Sequence, residues 1–90
     1  MHESGMCTYR KLMTWLAAVI GGTSLDATMR AIGTEDRDGV IRLLHELTKK
    51  DLVMYQHDKD LLGRRHLSDI DAVLAAAGYE PAKEIALPPE

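Results

Sequence analysis

Residues 23–56 read TSLDATMRAIGTEDRDGVIRLLHELTKKDLVMYQ, and they contain the strongest secondary-structure signals of the chain. Its apolar residues recur every three or four positions in two blocks, and this spacing predicts two helices. Gly33 ends the first block, and the side-chain oxygens of Thr34, Glu35 and Asp36 are suited to cap the second. Residues 52–56 are rich in side chains that favour strands. The stretch therefore predicts a short helix, a turn, a longer helix and the start of a strand.

The two predicted helices have recognisable starts and faces. Thr23 and Asp26 have the spacing of a capping box, which predicts the start of the shorter helix. The longer helix is predicted over residues 36–50, where the lysines at its end suit the negative pole of the helix dipole. Its apolar stripe consists of Val40, Leu43, Leu44 and Leu47.

The flanking sequence adds two more helices and a hairpin. Residues 9–20 have helical spacing followed by two glycines, which predicts a first helix. Residues 51–68 contain two strand-forming runs around the polar tip 57–60, which predicts a two-stranded hairpin. Ser68 and Asp71 form a second capping box before a fourth helix that ends at Gly78. Residues 79–90 contain three prolines and predict a tail that is mostly without regular structure.

Composition places the chain among soluble, single-domain proteins. It has 90 residues, of which 46% are hydrophobic and 28% charged. Its single cysteine, Cys7, excludes an internal disulfide and suits a reducing compartment. No run approaches the ~20 apolar residues of a membrane span, and the first residues lack the pattern of a secretory signal. We therefore expect a cytoplasmic protein with no membrane contact.

The residues that carry chemistry in enzymes and metal proteins lack the required spacing here. His57 and His66 stand apart on the hairpin, and Cys7 and His2 lie near the N-terminus, so no metal site is predicted. No nucleophile, base and orienting group are suitably spaced, and the GGTS segment lacks the lysine of a phosphate-binding loop. We expect no enzymatic activity and no cofactor.

The order of the predicted elements resembles the winged helix-turn-helix family of DNA-binding domains. Residues 23–56 and the segment RRHLSD, residues 64–69, carry the resemblance, which covers about residues 9–77. In that family the third helix is followed by a glycine, Leu-Val and the wing. LLHELTKKDLV, residues 43–53, matches except for Asp51 at the glycine position, and Asp tolerates the left-handed conformation better than most residues.

The resemblance implies a mainly α fold with a small β-hairpin. Its parts are a three-helix core, a two-stranded wing and a C-terminal helix. On this basis residues 1–8 are predicted to be a flexible N-terminus, residues 9–78 the winged-helix domain, and residues 79–90 an acidic, proline-containing tail.

The resemblance also implies a small DNA-binding transcriptional regulator. Helix 36–50 would enter the major groove of double-stranded DNA, and hairpin 51–68 would contact phosphates as a wing. Asp38, Arg42, His45 and Lys49 share the outer face of the helix and are the predicted base readers, with Arg42 suited to guanine and Lys49 also able to reach a phosphate. The predicted DNA-contacting residues are Arg37, Arg42, His45, Lys49, Lys59, Arg64 and Arg65.

A homodimer is expected, because one such module reads only a few base pairs. The first and fourth helices are the predicted interface, since Trp15 lies off the main apolar stripe and the run AAAG, residues 75–78, permits close approach.

A second reading stays open, in which the same fold is a protein-interaction module that does not bind DNA. The start of the third helix carries Glu35, Asp36 and Asp38, and the chain has a net charge of −3, whereas many DNA-binding domains are basic. Such a module would act as an inhibitor or adaptor and would present acidic surfaces to a protein partner.

Overall fold

The computed structural model describes residues 6–88 and contains four α-helices and two two-stranded sheets within that range. The helices are α1 (Tyr9–Ala18), α2 (Leu25–Ile32), α3 (Arg37–Lys49) and α4 (Ile70–Ala76). The strands are β1 (Met6–Cys7), β2 (Met54–Gln56), β3 (Leu61–Gly63) and β4 (Ile85–Ala86). Single 3-10 turns follow α1 at Val19–Gly21 and form the hairpin tip at His57–Lys59. The predicted mainly helical fold with a small hairpin is confirmed.

The hairpin is attached to the helical part through the loop between α1 and α2. Strands β2 and β3 pair antiparallel, with Tyr55 opposite Leu62. On the other side of β3, the Thr23 amide donates to the Leu62 carbonyl at 2.8 Å, and the Leu62 amide donates to the Thr23 carbonyl at 3.2 Å. This pair of hydrogen bonds fixes the hairpin against the loop that follows α1.

Each helix start is fixed by a side-chain cap, and two of the caps lie one residue after the predicted ones. Ser24 caps α2 by accepting from the Ala27 amide at 3.1 Å, and Thr23, one residue earlier, pairs through its backbone with the hairpin. Asp36, one of the three predicted candidates, caps α3 by accepting from the Gly39 amide at 3.0 Å. Asp69 rather than Ser68 caps α4.

The end of α3 explains why an aspartate can occupy the position of the expected glycine. Asp51 has φ +63°, in the left-handed region. Its amide donates to the Thr48 carbonyl at 3.0 Å, and the Leu52 amide donates to the Leu47 carbonyl at 2.9 Å. These two bonds form a Schellman motif, which ends the helix and turns the chain into β2.

The core lies between the helices and the inner face of the hairpin. It contains Leu12, Leu16, Leu25, Ile32, Val40, Leu43, Leu44, Leu47, Leu52, Leu62 and Leu74. Two predictions were wrong here. Ile20, expected in the core as the last apolar residue of the predicted helix 9–20, is 47% exposed because it lies on the 3-10 turn after α1. Trp15, expected at a dimer interface, is buried, and its indole N–H donates to Thr28 Oγ1 at 3.1 Å.

The chain ends also differ from prediction within the described range. Cys7 pairs with Ile85 across strands β1 and β4, and Ile85 and Leu87 are both buried. They point to the same side because side chains two apart in an extended chain share a face. Ile85 and Leu87 therefore belong to the core, and this part of the chain is not an unstructured tail. The predictions for residues 1–5, 89 and 90 lie outside the described residues.

Candidate nucleic-acid interface

The outer side of α3 carries a strip of polar residues, which we call the α3 strip: Asp38, Arg42, His45 and Lys49. Asp38, His45 and Lys49 are exposed, and Arg42 is half-buried. The opposite side of the helix is buried in the core. The predicted helix register is thus confirmed, and the strip faces away from the protein.

The C-terminal segment borders the α3 strip on one side. Arg42 Nε donates to the Pro88 carbonyl at 2.7 Å. Leu87 packs close to Gly39, where an added Cβ would lie 3.0 Å from Leu87 Cδ1. Within the described residues, the other guanidinium nitrogens of Arg42 make no hydrogen bond. Arg42 is therefore held through Nε, while its Nη1 and Nη2 groups remain available to donate hydrogen bonds to a ligand.

Strand β2 borders the strip on the other side through a row of three rings. His45 meets the Tyr55 ring edge-on, with centroids 5.6 Å apart, and Tyr55 meets His57 in the same way at 6.1 Å. Burial raises the pKa of Tyr55, and the charge of Asp60 adds to this while Arg37 opposes it. The row connects α3 to the hairpin tip. Sequence reasoning missed Tyr55 and His57 as its members, and the alternation of side chains along a strand was the one signal that could have placed Tyr55 inward.

The predicted lysine contacts are the least engaged cations of the site. Lys49 and Lys59 are exposed and form no salt bridge within residues 6–88. Arg37 lies 3.6 Å from Asp26, measured from Nη1 to Oδ1, and both side chains are more than half exposed. Exposed pairs of this kind contribute little to stability and exchange partners readily.

The two adjacent arginines at the base of the hairpin have opposite surroundings. Arg65 is exposed and its Nη2 lies 2.7 Å from Asp51 Oδ2. Arg64 is only 8% exposed; its Nε donates to the Leu16 carbonyl and its Nη1 donates to the Arg65 carbonyl at 2.7 Å. Consecutive residues of an extended segment point to opposite sides, so one arginine turns inward. This placement corrects the prediction that Arg64 contacts phosphate.

Lys50, at the end of α3, is held by the segment after α4. Its ammonium group lies 4.3 Å from the centroid of the Tyr79 ring and donates to both Tyr79 Oη and Glu46 Oε1 at 3.2 Å. Burial works to lower the pKa of Lys50, but these hydrogen bonds prevail and raise it. Lys50 is therefore engaged, in contrast to its neighbour Lys49.

In the described part of the chain, no group of three or more His, Cys, Asp or Glu side chains is arranged to hold a metal ion. No helix between residues 6 and 88 has both the length and the apolar character needed to cross a membrane.

Comparison of the chain with protein-family models, curated proteins and solved structures gave no match.

Proposed function

We propose that the chain is a small cytoplasmic DNA-binding regulator of the winged helix-turn-helix type. The α3 strip enters the major groove, and the hairpin tip contacts the backbone beside it. The observation that carries the proposal is the outward position of the α3 strip next to a hairpin, with Lys49 and Lys59 exposed and outside any salt bridge of the described residues.

The dimensions and chemistry of the strip support this assignment. A helix of 13 residues is about 20 Å long, and a single helix fits the major groove of B-DNA. The free end of the Arg42 guanidinium suits a guanine edge, and the Asp38 carboxylate suits the amino group of cytosine. Lys49 at the end of the helix and Lys59 at the hairpin tip suit phosphates.

The proposed contact set is smaller than the one that the sequence predicts. Arg42, His45, Lys49 and Lys59 are its central members. Arg37 and Arg65 take part only by leaving their exposed partners Asp26 and Asp51, which costs little. Arg64 is left out because its guanidinium is bound to carbonyl groups of the protein itself.

A homodimer remains part of the proposal, on a narrower basis. Trp15 no longer supports it, because that side chain is in the core. The exposed side of α4 carries Ala72, Ala75 and Ala76, which permit the close approach of a second copy. Two copies would read two half-sites.

The test is the binding of a labelled random-sequence duplex, followed by fluorescence anisotropy over a salt series. Because each neutralised phosphate releases counterions, Lys49→Ala and Lys59→Ala should each flatten the plot of log affinity against log salt by about 0.9. Lys83→Ala is the matched control, since Lys83 is an exposed lysine beyond α4 that pairs with Glu80 at 3.3 Å. Absence of salt-dependent binding to any duplex would overturn the proposal.

A second candidate function, a protein-interaction module, is favoured by the outer face of the hairpin. Met54 is 68% exposed and Leu61 is 56% exposed, and both lie on strands that carry the wing. Large apolar side chains grouped on a surface are typical of contact sites. Pull-down from cell extract with Met54→Ser as the control distinguishes this function, because DNA binding does not require Met54.

A further inference from the structure

A groove of about 750 Å³ lies between the hairpin and the loop that follows α1. The loop side consists of residues 21–24, and the hairpin side is mainly apolar, with Met54, Leu61 and Leu62 among its members. Binding sites for small organic ligands have volumes of about 300–1,000 Å³ and similarly apolar walls. The α3 strip is not part of this groove.

A buried cation, Arg64, forms part of the wall of the groove. Its Nε and Nη1 donate to carbonyl groups, whereas Nη2 has no hydrogen-bond partner within residues 6–88. Every fully buried side-chain nitrogen or oxygen in that range has a partner. Nη2 is therefore not fully buried, and we place its accessible side at the groove that Arg64 lines.

Arg64 also lacks a counter-charge. Within the described residues no carboxylate lies at salt-bridge distance from its guanidinium, although Arg65 next to it has Asp51. Burial lowers the pKa of Arg64, since the charged form is poorly solvated there. An arginine remains charged even so, and an anion that reaches Nη2 gains a charge-assisted hydrogen bond.

The lining restricts which anion fits. The apolar wall requires a ligand with an apolar body, which excludes small hydrophilic anions. Arg65 also lines the groove but pairs with Asp51 at 2.7 Å, whereas Asp60 has no cationic partner within the described residues, so a second negative charge on the ligand near Asp60 would be repelled. A ligand with one carboxylate and an apolar chain or ring supplies an anion for Arg64, has an apolar body and carries no second negative charge.

We propose that this groove binds an apolar monocarboxylate, with its carboxylate on Arg64 and its body against Met54 and Leu61. The carboxylate can belong to a free organic acid or to the C-terminus of a hydrophobic peptide, because both present the same group. The proposal does not depend on DNA binding.

The first test uses nuclear magnetic resonance with decanoate as the probe and decanol as the neutral control of equal chain length. Decanoate should shift the amide signals of Gly22 and Gly63, which line the groove, and bind about tenfold or more tightly than decanol. A second arm uses one hydrophobic peptide with a free or an amidated C-terminus. Preference for the free form identifies a peptide ligand, and response to decanoate alone identifies a free acid. Equal binding of charged and neutral probes, or no binding of either, would overturn the proposal.

Variants locate the site on the surface. Leu61→Glu adds a negative charge at the groove and should weaken decanoate binding about tenfold. Ile20→Glu is the matched control, because Ile20 is a similarly exposed apolar residue that does not line the groove. Arg64→Gln should abolish the preference for decanoate over decanol. Should that variant fail to fold, Leu61→Glu decides, and equal effects of Leu61→Glu and Ile20→Glu would contradict the proposed site.

Discussion

The α3 strip and the base of the hairpin both carry cations that the sequence marks as DNA contacts, yet the two regions use them differently. Lys49 in the strip extends from a helix whose other side fills the core, so its side chain is exposed among the described residues. Arg64 at the hairpin base lies where the chain approaches the end of α1, and the carbonyl of Leu16 binds it. The exposure of Lys49 could be predicted from the helix face alone, whereas the contact of Arg64 depends on a junction between elements that are far apart in the sequence.

The largest expected effect tests the helix side of this comparison. Leu44 is fully buried on the inner face of α3, so Leu44→Ala should lower the free energy of unfolding by ~2–5 kcal/mol through lost burial and a cavity. Urea denaturation measures the change. A loss below about 1 kcal/mol would mean that this face of α3 is not in the core, and it would contradict the conclusion that the α3 strip faces outward.

Leu61 is the matched leucine in the hairpin. It is 56% exposed, so Leu61→Ala should change stability by no more than ~0.5 kcal/mol. A large loss would show that the outer face of the hairpin is covered in solution, for example by a second copy of the chain.

The next effect separates the two arginines. Arg64→Ala removes two charged hydrogen bonds to carbonyl groups and should lower the free energy of unfolding by ~1–3 kcal/mol. Arg65→Ala removes only an exposed pair with Asp51 and should cost ~0–1 kcal/mol. Thermal denaturation of both variants gives the comparison directly. Equal losses would contradict the inward position of Arg64.

Most of the fold could be predicted from local signals in the sequence. The spacing of apolar residues predicted which faces of three helices are buried, and Asp36 was among the predicted caps of α3. The tolerance of aspartate for the left-handed conformation was consistent with Asp51 at the end of α3. These features depend on neighbours along the chain. The position of Trp15 could not be predicted in this way, because its partner Thr28 lies on another helix.

The residues of the candidate site form the same two groups: those placed by neighbours along the chain and those placed by residues far away in the sequence. Helix periodicity was sufficient for the outward direction of Asp38, His45 and Lys49. Three contacts depend on residues far apart in the sequence: Arg42 with Pro88, Arg64 with Leu16, and Ile85 with Cys7. The alternation of Ile85 and Leu87 was the one local signal for the last strand, and the nearby prolines outweighed it.

A smaller effect concerns Asp51, the residue that joins the two regions. Its positive φ is costly for most side chains, so Asp51→Ala should lower the free energy of unfolding by ~1 kcal/mol. Asp51→Gly should stay within ~0.5 kcal/mol of the original, because glycine adopts this conformation without steric cost. Both variants lose the pair with Arg65, so their difference measured by urea denaturation isolates the backbone. Equal stabilities would contradict the left-handed turn.

The smallest effect concerns Tyr55, which lies between His45 of α3 and His57 of the hairpin. Burial raises its pKa above the ordinary value of 10.0, and Asp60 adds to this while Arg37 opposes it. The folded state therefore holds the phenol proton more tightly than the unfolded state, so this contribution to stability is present below pH 10.0 and is lost as the pH rises through the folded-state pKa.

Tyr55 Oη makes no hydrogen bond within the described residues, so Tyr55→Phe should change little at neutral pH. Above pH 10.0 the original protein should lose stability faster than the variant, while Tyr9 titrates in both and cancels. The free energy of unfolding of both proteins is measured by urea denaturation at each pH. A difference between them that stays constant across this range would mean that the Tyr55 ring is open to water and does not pack between α3 and the hairpin.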